Sequence, residues 1–318
     1  MKLRQFFITL VLSLAANAPA LAQRVIHIIV PFGPGAVQDT IARTFNGELG
    51  QILGATVVVE NRAGAGGTIG TGMVAKAAPD GNTLVLAAAS HTLAGHMYAK
   101  LPYDPIKDFT AIGMIGATPN VLVVNSALPV KNVKEFIEYV KKNPGKISYG
   151  SAGQGSLTHL TMELFKQQIN SFLVHIPYRG VAPAFTDLIG GQTQAMFPGL
   201  AAAVPHIRSG RVRPLAVTGL ARHPQFKDVP TLDESGFKGF DAQQWYGVVG
   251  PAGIPAPIVK QLNETLAMVL RAPDLREKLS VEAIEPIVMA PEQFGAFIKA
   301  DIARWTKLAK DRGIELES

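Results

Sequence analysis

The feature that most constrains this chain is a repeated order of strand, glycine-containing turn and helix. Val25–Val30 is a β-branched, apolar run that stops at Pro31-Phe32-Gly33-Pro34-Gly35. A helical periodicity follows from Val37, with Ile41, Phe45 and Leu49 on one face. Strand-like runs recur at 56–60, 83–88, 121–124, 147–150, 173–176, 194–197 and 212–218, with helical stretches at 133–142, 156–168, 182–189 and 201–208. The last third adds a strand at 245–249 and helices at 256–270 and 292–312, with Pro291 in the first turn of the second. Alternating βα units of this kind predict an α/β protein with mainly parallel sheets flanked by helices.

The pattern starts afresh after the run at 121–124, and the chain returns near 240. Two αβ blocks plus a C-terminal return predict two lobes. The first takes residues 23–124 and 240–318, the second residues 125–239, with a cleft between them.

The first 22 residues read as a targeting segment. Lys2 and Arg4 form a basic start, residues 6–16 are apolar, and Ala20-Leu21-Ala22 gives the small-x-small pattern of a cleavage site before Gln23. The apolar stretch is shorter than the ~20 residues needed to span a bilayer, and Asn17 and Pro19 interrupt it. Cleavage after Ala22 and residence in the periplasm are therefore expected. No other stretch has 18 uncharged apolar residues in a row, so the mature chain is not expected to be membrane-embedded. The absence of cysteine excludes a lipidated N-terminal Cys and disulfides, leaving the core to hold the fold.

The full chain carries a net charge of +6, and loss of Lys2 and Arg4 with no acid leaves +4. The excess is spread out, without the basic stripe of a nucleic-acid surface, and a mild positive field favours small anionic ligands.

Two similar loops carry most of the functional information. Pro31-Phe32-Gly33-Pro34-Gly35-Ala36 and Gly150-Ser151-Ala152-Gly153-Gln154-Gly155-Ser156 each follow a strand and open a helix. Glycine there permits positive φ and close backbone approach. First-turn amides and the helix dipole make such a loop an anion site at the carboxyl end of a strand. Either loop alone also reads as an ordinary βα turn; one in each block points to a ligand held between two helix starts. The amides around Gly33, Gly35 and Ala36, and around Gly153, Gly155 and Ser156, are expected to converge on one carboxylate. Ser156 reads as an N-cap, with Thr158 beside it, and His159 reads as a packed, capping or ligand-donating side chain. Tyr178, Arg179 and Gly180 stand at another carboxyl edge, where Tyr178 can wall the cleft and Arg179 can pair with a distal carboxylate or lie on the surface. Phe32 floors the cleft or packs the core. Pro34, Asp39, Ser90, Ala182 and Pro198 complete the candidate set, in which no residue is catalytic or metal-binding and no cofactor is called for. Trp245 and Trp305 are assigned to packing.

Enzyme signatures are weak. Tyr149-Gly150-Ser151-Ala152-Gly153 has Tyr in the first position of a hydrolase elbow. Gly70-Thr71-Gly72-Met73-Val74-Ala75 matches a dinucleotide pattern but does not directly follow a strand. The seven histidines show no metal-binding spacing. The alternative readings are a ligand sensor feeding a two-component kinase and, further away, a serine hydrolase using Ser151 or Ser156 with His159.

The chain resembles the Bug/TctC family of extracytoplasmic solute receptors from its first loop to Pro251-Ala252-Gly253-Ile254-Pro255-Ala256-Pro257. Glu60-Asn61-Arg62, Pro79-Asp80-Gly81, Leu101-Pro102-Tyr103-Asp104, Pro177-Tyr178-Arg179-Gly180 and Val229-Pro230-Thr231 lie between in matching order. The chain is expected to be a monomer and not an enzyme, and the resemblance implies a periplasmic-binding-protein-like receptor of two lobes. It implies a carboxylate held through amides, hydroxyls and water, and delivery to membrane transporter subunits. Ala36 stands where the family usually has Gly, and Arg179 where it usually has Lys, which puts the usual ligand preference in doubt.

Overall fold

A computed structural model describes residues 24–98 and 100–314; the expected targeting segment, residues 1–22, lies outside the described residues. The first sheet has six strands. β1 (Val25–Val30), β2 (Thr56–Asn61) and β3 (Thr83–Ala88) lie side by side in the order β3-β1-β2, all parallel. α1 (Val37–Leu53), α2 (Thr68–Ala75) and α3 (Ala89–Met97) follow β1, β2 and β3. β4 (Phe109–Pro119) leaves this sheet and runs through Asn120 into β5 (Val121–Asn125) of a five-stranded second sheet.

In the second sheet α4 (Val133–Lys142) follows β5. β6 (Ser148–Ser151), β7 (Val174–Pro177) and β8 (Ala195–Met196) then alternate with α5 (Leu157–Ile169), α6 (Val181–Ile189) and α7 (Leu200–Arg208). β9 (Val212–Val217) completes the sheet, in the order β7-β6-β8-β5-β9. The chain returns through β10 (Gln243–Pro251) to the first sheet and ends in α8 (Ala256–Arg271), α9 (Pro273–Val281), β11 (Glu285–Pro286) and α10 (Pro291–Asp311).

Within their sheets β1–β4 run one way and β6–β9 run one way, and the crossing strands add antiparallel pairs. β10 pairs antiparallel with both β3 and β4, β11 with β4, and β5 with both β8 and β9, so both sheets are mixed. The reason is the crossing: a chain that leaves a lobe and comes back must enter each sheet from the opposite end. The second sheet begins at Val121, so β5 stands in it and not in the first.

Strand alternation sets the core. In β5, Leu122 and Val124 face one cluster while Val121 and Val123 face another. The shared cluster joins Ile29, Val85 and Trp245 of the first lobe to Phe136, Tyr149 and Phe165 of the second, through Phe294, Trp305 and Leu308 of α10. Trp245 and Trp305 are both fully enclosed, as packing residues would be. No helix among the described residues is long and apolar enough to cross a membrane.

Candidate functional site

Strand direction decides where a ligand can meet the chain. β10 is antiparallel to β3 and β4, so β1, β2, β3 and β4 all point the same way and end at one edge. β5 is antiparallel to β8 and β9, so it begins where β6, β7, β8 and β9 end. Asn120 alone joins β4 to β5, which brings the carboxyl edges of the two sheets together. The return crossing meets the same point. Thr218 N donates to Asn120 O at 2.8 Å, Asn120 N to Thr218 Oγ1 at 2.8 Å, and the Thr218 hydroxyl to Ala242 O. Asn120 Nδ2 also donates to Phe197 O at 3.1 Å and Thr161 Oγ1 at 3.3 Å.

Six helices, α1, α2, α3, α5, α6 and α7, begin at these two edges, and among the described residues no side chain caps the first turn of any except α5. Five of the six have no acid in the first turn, the exception being Asp39 of α1. Of the four helices that begin elsewhere, three carry a first-turn acid, Glu135 in α4, Asp274 in α9 and Glu292 in α10, and only α8 does not. Uncapped amides and uncompensated dipoles thus gather on the two edges that the crossing brings together, the arrangement that favours an anion.

The first loop is fixed from below. Gly35, at φ 81°, donates its N–H to Asp39 Oδ2 at 3.0 Å, and Ala36 N donates to Gly33 O at 3.2 Å. The buried Asp39 also accepts from Arg43 Nε at 2.9 Å and Asn61 Nδ2 at 3.0 Å, and Asn61 reaches Phe32 O at 3.0 Å. Burial pushes the Asp39 carboxyl up, but Gly35, Asn61 and Arg43 outweigh it and hold it below its ordinary value. Phe32 is half-buried and packs on the first-lobe core.

The second loop is tied in the same way. Gly155 N donates to His159 Nδ1 at 3.0 Å, Ser156 N to Gly153 O at 3.3 Å, Gly153 N to Ser151 Oγ at 3.1 Å and Ala152 N to Thr158 Oγ1 at 2.8 Å. Ser156 Oγ donates to Gly153 O at 2.7 Å and caps α5 through His159 N at 3.4 Å. Among the expected donors, then, the amides of Gly35, Ala36, Gly153, Gly155 and Ser156 are already engaged within the loops. The remaining donors are those of the first helical turns, Val37 and Gln38 in one lobe and the buried Leu157 and Thr158 in the other, where a residue lacks the i−4 carbonyl of the helix interior.

Tyr178 packs over Gly150 and directs its hydroxyl to Asp187 Oδ2 at 2.6 Å, which leaves its ring as the part available to a cleft. Burial, then Asp187, pushes that phenol up to about 12. Arg179 and Ala182 are exposed beside Gly180, which begins α6 at φ 111°. Ser90 lies in the first turn of α3, and Pro198 is buried with its carbonyl accepting from Val121 N at 2.9 Å.

Asn61, Asn120 and His175 were outside the candidate set. His175 Nε2 lies 2.7 Å from Ser151 Oγ, and its ring stacks on His159 at 4.0 Å between centroids. Ser151 is fully enclosed, and His159 meets Gly155, not the hydroxyl of Ser151 or Ser156, so the hydrolase pairing with His159 does not form. Burial, then His175, lowers His159 to about 3, and burial lowers His175 to about 4. Both rings are neutral at pH 7. No sequence motif marks His175; it stands in a plain strand.

Residues 41–314 match the family model described as the tripartite tricarboxylate transporter family receptor. The chain belongs to this family. It is similar to solved binding proteins of the family along most of its length. The periplasmic binding protein BugD is 38% identical, with a TM-score of 0.78 over 92% of this chain and 99% of that one. Rpa4515 of R. palustris, solved with adipate, is 34% identical, with a TM-score of 0.82 over 93% and 100%. MatC of Rhodopseudomonas palustris, with bound malate, is 33% identical, with a TM-score of 0.76 over 90% and 98%. The receptor therefore has the two-lobed fold of periplasmic binding proteins.

Proposed function

We propose that this receptor is exported, captures a small carboxylate between its lobes without chemical conversion, and delivers it to a tripartite tricarboxylate-type membrane transporter. The observation that carries the reading is the gathering of six helix starts on the two carboxyl edges, five of them without a first-turn acid and five without a side-chain cap. Such ends are worth about 0.3–1 kcal/mol each toward an anion when exposed, and more in a closed cleft of low dielectric. Solved relatives with adipate and malate support the choice of a carboxylate.

In this reading the carboxylate end of the ligand lies between the helix starts after Ala36 and Ser156. Phe32 and Tyr178 wall it, Ser90 and Thr158 add hydroxyls, and exposed Arg179 pairs with a distal acidic group. Gly33, Gly35, Gly153, Gly155 and Asp39 shape the loops. The mature receptor acts as a monomer in the periplasm.

The test is thermal melting of the mature protein, with chelator present, against malate, adipate, citrate, glutamate, nicotinate and benzoate. At 100 times Kd a ligand adds about 2.7 kcal/mol, so a rise of several degrees is expected for at least one acid. No response to any carboxylate, or one abolished by chelator, contradicts the reading.

A further inference from the structure

The two loops are one motif used twice. Gly33-Pro34-Gly35-Ala36-Val37-Gln38-Asp39 and Gly153-Gln154-Gly155-Ser156-Leu157-Thr158-His159 share the same internal bonds. Ala36 N donates to Gly33 O at 3.2 Å as Ser156 N does to Gly153 O at 3.3 Å, and Thr40 N donates to Ala36 O at 3.0 Å as Leu160 N does to Ser156 O at 2.9 Å. The middle glycines have φ of 81° and 71°, and each donates its amide, at 3.0 Å, to the side chain four residues on. The second loop adds the hydroxyls of Ser156 and Thr158, but the only change of charge is at that side chain: a carboxylate in the first lobe, an imidazole in the second.

The difference matters because it sets the local charge. Asp39 supplies a negative charge to the first turn of α1, where a bound anion would otherwise do so. Its partner Arg43 is half-exposed, so solvent screens the compensation. His159 accepts the Gly155 N–H through Nδ1, so that nitrogen carries no proton and the ring is neutral. It is 3% exposed and stacked on His175, with Glu163 at 3.9 Å from its Nε2. The start of α5 therefore keeps its dipole uncompensated.

We propose that Asp39 and His159 are matched positioning residues whose unlike charge orients the ligand: its ionised carboxylate rests on the second lobe's loop, and an uncharged part or a bridging water meets the first. This rests on the carboxylate-receptor reading. A ligand charged at one end then enters in one orientation, on the second lobe first, and the first lobe closes over it.

Calorimetry with each acid of the melting panel, on wild type, His159→Asp and His159→Asn, tests it. Asp and Asn are nearly isosteric, and both accept the Gly155 amide, so only charge separates them. The expected result is binding by His159→Asn within severalfold of wild type and about tenfold or greater weakening by His159→Asp. Equal binding by wild type and a folded His159→Asp overturns the orientation while leaving the receptor reading intact. Equal losses in both variants make His159 a merely structural residue and also overturn it. Wild type that binds no acid of the panel removes both readings. Nitrogen-15 spectra of unliganded wild type test the same point without any variant: Nδ1 of His159 is expected to be unprotonated at pH 7, and an imidazolium or an Nδ1–H form overturns the proposal.

Discussion

Arg312 donates from Nε and Nη2 to Glu163 Oε2 at 3.1 and 3.0 Å, fastening the end of the C-terminal helix to the helix that carries the second lobe's loop. The other carboxylate oxygen accepts Tyr149 OH at 2.6 Å and Lys166 Nζ at 2.5 Å. Burial pushes Glu163 up, yet Lys166, Tyr149 and Arg312 together hold it below its ordinary value. The back of the molecule is thus tied by charge as well as by the shared aromatic core, while Asn120, Thr218 and Ala242 join the carboxyl edges at the crossings.

Arg312→Ala should lower stability, because it leaves a buried carboxylate with fewer donors. Lys166 and Tyr149 remain, so the expected loss is about 1–3 kcal/mol. Urea unfolding at pH 7 measures it, and an unchanged midpoint contradicts the latch.

Acid should weaken the fold well before carboxylates titrate. Burial lowers His91 and His175 to about 4 and His159 to about 3 from an ordinary 6.5. Between those values the unfolded chain binds protons that the native state refuses, so stability falls as pH drops through that window. The depressed Glu163 adds a second loss only below its unfolded value of 4.5. Urea midpoints at pH 7.5 and 5 check this, and His91→Gln should flatten the slope. Equal midpoints at the two pH values contradict it.

Asp39→Ala should loosen the first loop, since Gly35 loses its acceptor and Arg43 and Asn61 each lose one of two. The expected cost is about 1–3 kcal/mol. Asp39→Asn, which keeps one acceptor for Gly35, should cost less. Faster hydrogen exchange at Gly35 in the Ala variant is the local signature.

Ligand should draw the lobes together by bending at Asn120, Thr218 and Ala242, where the crossings bond to one another. Small-angle scattering should show a smaller radius of gyration at saturation. An unchanged radius, with binding measured separately, contradicts this.

Much of the fold was legible because most βα units announce themselves by a β-branched run, a turn and a helical period; α3, which follows β3 with no turn residue between, did not. The strand β4 was not. Gly113 and Gly116 interrupt its apolar run, and both are there for close packing: a Cβ would meet Asn263 Nδ2 at 2.8 Å from Gly113 and Glu285 O at 2.5 Å from Gly116. Strand direction was equally hidden, because an alternating pattern reads the same in a parallel or antiparallel neighbour. The loops and their glycines could be read, but not the partners of their amides. Asp39 and His159 reach back four residues to Gly35 and Gly155, a geometry that residue types alone do not specify. His175 meets Ser151 only because β6 and β7 pair in register.

The central claim is that the ligand sits between the two facing carboxyl edges, and amide chemical-shift mapping tests it most directly. Nitrogen-15-labelled mature protein is titrated with the panel acid that raises the melting temperature most. The largest shifts are expected at Val37, Gln38, Leu157 and Thr158. The main alternative is the ≈ 340 Å³ cavity beneath α10, lined by Met114, Trp245, Phe297 and Arg304 among others. Shifts concentrated around that cavity, with the two helix starts unmoved, would contradict the account.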